Sequence, residues 1–140
     1  MVLEKKKELE ALSAVANTKF GPIEYRIYGE RKPPYMLVFG GTPGICHGSF
    51  GYHDRGFCIV APSRPGFGRT PLSSGKSAAD QAKISDALMT EVLGVEKYVV
   101  MGGSGAGPVS LQMALLFPER VKALLLVCAI TGDYKHGFHE

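Results

Sequence analysis

The stretch with the clearest chemical content is VVMGGSGAG, where a β-branched run leads through Gly102, Gly103, Ser104, Gly105, Ala106 and Gly107 into a helix opened by Pro108. A strand-turn-helix elbow of this kind holds its central residue in a strained backbone conformation with the side chain exposed above the sheet. Small flanking residues let the chain turn there without clashing. Ser104 is the central residue. Its hydroxyl lies near a helix N-terminus, where backbone N–H groups and the helix dipole favour the negative charge that develops during acyl transfer. The expected chemistry is therefore nucleophilic attack on a carbonyl, with the Gly105 N–H as a first oxyanion donor.

The elements that must hold this elbow can be read from periodicity. MLVF (36–39), FCIV (57–60), YVVM (98–101) and ALLLVCA (123–129) are continuous apolar runs, the pattern of strands buried on both faces of a parallel sheet. Two helices are punctuated between them. The first is predicted to start at Ser77, with Asp80 completing a capping box, to carry Ile84, Leu88, Met89, Val92 and Leu93 on one face, and to stop at Gly94. The second runs from about Pro108 to Phe117 and is ended by Pro118. Residues 1–17 read as an N-terminal helix, 18–30 as a hairpin around a Gly21-Pro22 turn, and 36–140 as the parallel α/β core. In such a sheet, reactive groups gather in the loops at the carboxyl ends of the strands. Those loops are FGGTPG (39–44), APSRPGFGRT (61–70) and the elbow.

The three loops, in this order, resemble the α/β-hydrolase family. GPVSLQMALLFPERVKALLLVCA (107–129) is similar to the helix and strand that follow the family's elbow. FGGTPG resembles the family's His-Gly-x-Pro-Gly oxyanion loop, with Gly40 at the histidine position and Thr42 supplying the second backbone donor. APSRPGFGRT resembles the segment after the next strand, with Ser63 where the family usually has Asp. Ala106 replaces the last glycine of G-x-S-x-G, a one-methyl change compatible with the elbow. The resemblance implies a partial α/β-hydrolase fold, a mostly parallel sheet flanked by helices and opening with an antiparallel hairpin. It also implies a serine hydrolase acting on an ester or similar small carbonyl substrate. A serine at the elbow argues against the Asp-nucleophile dehalogenases and epoxide hydrolases of the fold.

The family order is serine, then acid, then histidine. After Ser104 the acids are Glu119, Asp133 and Glu140, and the histidines are His136 and His139. Glu119 belongs to the FPERV turn that ends a helix. Asp133 with His136 or His139 has the required order, on a short tail past the last strand that nothing in the sequence fixes above Ser104; a base must come within ~2.6–3.2 Å of the serine. Acid and base are thus unassigned, with these three as candidates. His47 and His53 flank the segment after the oxyanion loop; His47 is close enough in topology to line the pocket, but a surface-loop histidine is the expected reading, and Arg64 and Arg69 read as solvated loop arginines that could bind an acidic group.

Composition sets the outer limits. At 140 residues and 45% apolar content the chain is one domain. A net charge of +3 with interleaved signs gives no footprint for nucleic acid or an anionic membrane, and a small-molecule partner is expected. Three cysteines without metal-ligand spacing point to a reducing, cytoplasmic setting, with Cys58 and Cys128 as packed apolar groups. No metal or cofactor is expected. Gly103 or Gly105 as the start of a G-x-G-x-x-G fingerprint fails at Pro108 or Gln112, and Gly75-Lys76-Ser77 lacks the rest of a phosphate loop. The alternative function is a hydrolase half without activity that binds or dimerises. The run ALLLVCA would lie on an open sheet edge, which another segment or a second copy is expected to cover.

Overall fold

A computed structural model describes residues 2–48 and 54–132. His53, Asp133, His136 and His139 lie outside the described residues. The elements are α1 (Val2–Ala11), β1 (Ala14–Thr18), β2 (Gly21–Tyr28), β3 (Tyr35–Phe39), β4 (Cys58–Pro62), α2 (Ala78–Ala87), β5 (Tyr98–Gly103), α3 (Gly107–Leu116) and β6 (Val121–Val127).

The six strands form one sheet in the order β1-β2-β4-β3-β5-β6. β1 pairs with β2 and β2 with β4 antiparallel, whereas β4, β3, β5 and β6 run parallel. β3 and β4 are buried almost throughout, as the continuous apolar runs require. Alternate residues face opposite sides. Leu37, Phe39, Val60 and Val100 join the core that includes Ile84 and Leu88 of the α2 segment and Val109 and Met113 of α3. Met36, Val38, Ile59, Ala61 and Met101 pack with Cys46 on the other face.

The helix signals correspond closely to the structure. Ser77 caps α2, its Oγ accepting from the Asp80 N–H at 3.1 Å, and the Asp80 carboxylate accepts from the Ser77 N–H in return. The helix widens into a π turn over Leu88–Val92 and ends at Gly94, whose φ of +68° suits glycine. Ile84, Leu88 and Met89 are buried, while Val92 at the frayed end is 37% exposed.

The N-terminal boundary differs from the sequence reading. The helix stops at Ala11 and residues 14–18 form an edge strand, so the hairpin turns at Lys19-Phe20 and Gly21-Pro22 opens β2. The cause is tertiary. Pairing of Ala14 through Thr18 with Tyr25 through Gly21 satisfies the backbone groups along the outer edge of β2, which a longer helix, bonded within itself, would leave unpaired. Cys128 is a second correction: β6 ends at Val127, and Cys128 is exposed with φ +49° beyond it.

Chain direction across the sheet reverses at β3, which has β4 on one side and β5 on the other. A crevice opens between loops at such a switch point. Phe39 is level with Gly102 across the β3–β5 pair, so the FGGTPG loop and the elbow leave the sheet side by side.

Candidate active site at the switch point

Ser104 has φ +48°, in the left-handed region that side chains avoid. A residue held there costs about 1–3 kcal/mol and persists only where its surroundings enforce it. Three contacts do so. A Cβ on Gly102 would lie 1.9 Å from Ser110 Oγ, so α3 is flush against β5 where only glycine fits. The Ser110 hydroxyl in turn donates to the Ala106 carbonyl at 2.9 Å. The Ser104 carbonyl accepts from the Ile130 N–H at 2.9 Å, bringing the chain beyond β6 across the elbow. Ala106 is fully buried, so its methyl is accommodated. The Ser104 side chain is left exposed.

The FGGTPG loop faces it. A Cβ on Gly41 would come within 2.9 Å of Ser104 Cβ and 3.5 Å of its Oγ, and one on Gly105 within 2.9 Å of Thr42 Oγ1. Gly41, Thr42, Ser104 and Gly105 thus surround one small space, and the expected oxyanion residues Thr42 and Gly105 lie against each other.

Without a histidine at position 40, this loop is braced by Arg64, which the sequence reading left in solvent. The Arg64 N–H donates to the Gly44 carbonyl at 2.7 Å, and its Nη2 donates to the Gly41 carbonyl. The guanidinium passes directly under Gly44, where a Cβ would lie 2.5 Å from Nε. Gly44 is the position whose lack of a side chain leaves room for it.

A second polar cluster lies beside this crevice, and the sequence reading missed its centre, Glu24. Glu24 of β2 is buried, and its carboxylate accepts from Ser13 Oγ, Ser63 Oγ, Arg69 Nε and the Arg69 N–H, all at 2.8–2.9 Å. Burial raises its pKa, but the hydrogen bonds from the Arg69 backbone and side chain, Ser13 and Ser63 outweigh this and hold it at about 2. Arg69 is thereby a structural ion-pair partner. Ser63, standing where the family has Asp, also accepts from the Cys46 N–H at 3.0 Å.

His47 belongs to this cluster, which corrects its reading as a surface-loop residue. Its side chain is 10% exposed, Nε2 lies 4.0 Å from Glu24 Oε1, and its pKa is lowered by burial. Glu24, Cys46 and His47 place three potential ligand atoms within 4.8 Å of one another. The carboxylate oxygens are already saturated, however, and a cation there would face the Arg69 charge.

The model of the alpha/beta hydrolase fold family matches residues 34–139. An uncharacterized hydrolase of Bacillus subtilis, YcgS, is 36% identical over 117 residues, covering 81% of this chain and 40% of that protein. A homoserine O-acetyltransferase of Thermus thermophilus is 38% identical over 105 residues, covering 74% of this chain and 24% of that one. Among solved structures, an alpha/beta hydrolase fold protein from Nakamurella multipartita superimposes with a TM-score of 0.75 at 31% identity, covering 90% of this chain and 45% of that one. The chain therefore spans less than half the length of each of these relatives.

Proposed function

The chain belongs to the alpha/beta hydrolase fold family, and from that premise we propose that it carries the nucleophile half of a serine hydrolase that transfers acyl groups from an ester or similar small carbonyl substrate. The observation that carries the reading is the left-handed, exposed Ser104 between β5 and α3, with Gly41 within contact of its side chain. Ser104 attacks the carbonyl carbon. The N–H groups of Thr42 and Gly105 receive the charge that moves onto the carbonyl oxygen, and a histidine takes the hydroxyl proton and returns it to the leaving group. A relative described as an acetyltransferase and another described as a hydrolase are in keeping with acyl transfer.

Acid and base stay unassigned, with Asp133 and His136 or His139 as candidates on chain order alone. The proposed setting is the cytoplasm, in keeping with three cysteines that are all free, two of them buried. No helix among the described residues is long and apolar enough to cross a membrane.

Exposing the purified chain to a fluorophosphonate probe and mapping the adduct by peptide mass spectrometry tests the proposal. Labelling at Ser104, lost in Ser104→Ala and strongly slowed in either His136→Ala or His139→Ala, is expected. A folded protein that Ser104→Ala leaves equally labelled would rule Ser104 out as nucleophile.

A further inference from the structure

Two arginines among the described residues have a carboxylate partner in the fold, and Arg64 differs from both. Arg69 is paired with Glu24 and Arg120 with Asp86. Arg64 is paired with no carboxylate among the described residues. Its neighbours are the Gly41 carbonyl, which accepts from Nη2, and the ring of Phe67, 5.3 Å from the guanidinium carbon. Its Nε is buried without a hydrogen-bond partner, and burial lowers the pKa of the group. A cation withdrawn from water without a counter-charge is costly, and the cost is tolerated where a ligand supplies that charge.

Its position is what gives this cost a use. Arg64 lies two residues past the end of β4 and reaches beneath the FGGTPG loop, where a Cβ on Gly44 would lie 2.9 Å from both Cζ and Nη2. Nη2 lies 4.0 Å from where a Cβ on Gly105 would stand. Gly41 joins the two groups: its carbonyl accepts a hydrogen bond from Arg64 Nη2, and a Cβ on it would lie against the Ser104 side chain. A guanidinium has five N–H donors in a planar fork that matches a carboxylate, and the contacts within the chain engage one of them at Nη2.

We propose that Arg64 recognises an anionic group of the substrate, so that the site takes acyl compounds carrying a carboxylate close to the carbonyl that reacts. The inference rests on the serine hydrolase reading for the word substrate, but the anion site itself does not require Ser104. Neutral esters of the same shape lack the counter-charge and bind more weakly.

The test is titration of the full chain with benzoate and with its neutral isostere benzamide, followed by backbone amide NMR. Benzoate is expected to bind at least ten-fold more tightly, with shifts centred on the Gly41, Gly44 and Gly105 amides. Arg64→Gln is expected to remove the preference, and Ser104→Ala to leave it unchanged. Benzamide binding as well as benzoate, or benzoate shifts centred away from those three glycines, overturns the proposal, and both comparisons use the unaltered chain. If Arg64→Gln does not fold, Arg64→Lys keeps the charge without the fork. It is expected to weaken benzoate binding, and a folded Arg64→Lys that binds benzoate with wild-type affinity overturns recognition by the guanidinium. Fluorophosphonate labelling on the same samples separates the two readings. An unlabelled Ser104 beside an Arg64-dependent benzoate site removes the nucleophile and keeps the anion site, and a labelled Ser104 without benzoate preference does the reverse.

Discussion

Whether anything can reach the Ser104 hydroxyl depends on Gly41. A Cβ there would stand 2.9 Å from Ser104 Cβ and 3.3 Å from the Gly103 carbonyl, in the space that an attacked carbonyl must share. Gly41 has no positive φ, so alanine would be excluded by proximity and not by backbone strain. Gly41→Ala is therefore expected to fold, because its neighbours are at the rim of the sheet, and to label with fluorophosphonate about ten-fold more slowly or worse, equivalent to about 1.4 kcal/mol or more on the barrier. Labelling at the wild-type rate would place the reacting carbonyl elsewhere. Ser104 was legible in the sequence because an elbow needs small residues at fixed offsets, and those are local. Arg64 was not, since the feature that makes it unusual is the absence of an acid in three dimensions, and residue type alone suggests solvent.

At the scale of elements, local signals served well and long-range polar contacts did not. The Ser77 cap, the Gly94 stop and the Pro118 break are each set by neighbours in sequence, and α2 and α3 follow them closely. The β1 strand and the burial of His47 depend on partners far along the chain. Glu24 is the clearest such partner, because its carboxylate joins β2 to Ser13 at the start of β1 and to Ser63 and Arg69 in the loop after β4. Removing the charge leaves Arg69 without its partner, and Glu24→Gln is expected to cost about 3 kcal/mol, near the low end for a buried pair because Arg69 is 36% exposed. The pH dependence has a definite sign. The folded chain holds Glu24 at about 2 against an ordinary value of 4.5, so the unfolded chain takes up the proton first as pH falls. The carboxylate's contribution is complete above pH 4.5 and drains away toward about pH 2. In denaturant titrations the gap between wild type and Glu24→Gln should narrow over that interval; a gap independent of pH would show that the ionised carboxylate is not its source.

For the molecule as a whole, the question is what meets β6. This strand closes one side of the sheet, with Leu125, Leu126 and Val127 each more than a third exposed and Leu115 of the neighbouring α3 exposed by 71%. The other edge, β1, is short and carries Ala14, Ala16, Asn17 and Thr18, a poor template for pairing. β6 has the opposite character: seven residues, six of them apolar, with one row of backbone groups unpaired among the described residues. Burying its side chains is favourable by roughly 25 cal/mol for each Å2 of apolar surface removed from water, and a second β6 offers both the matching surface and the missing hydrogen bonds. The proposed partner is a second copy of the chain, edge to edge. Light scattering across a dilution series should then show a dimer that dissociates on dilution, and Leu126→Lys, which places a charge on the edge, should give a monomer with an unchanged circular dichroism spectrum. The elbow begins at the carboxyl end of β5, where Gly103 is level with Val127 of β6; a copy docked on β6 would thus stand next to Ser104, and the monomeric variant should label at a different rate from the dimer. A wild-type chain that scatters as a monomer at every concentration leaves β6 uncovered by its own kind.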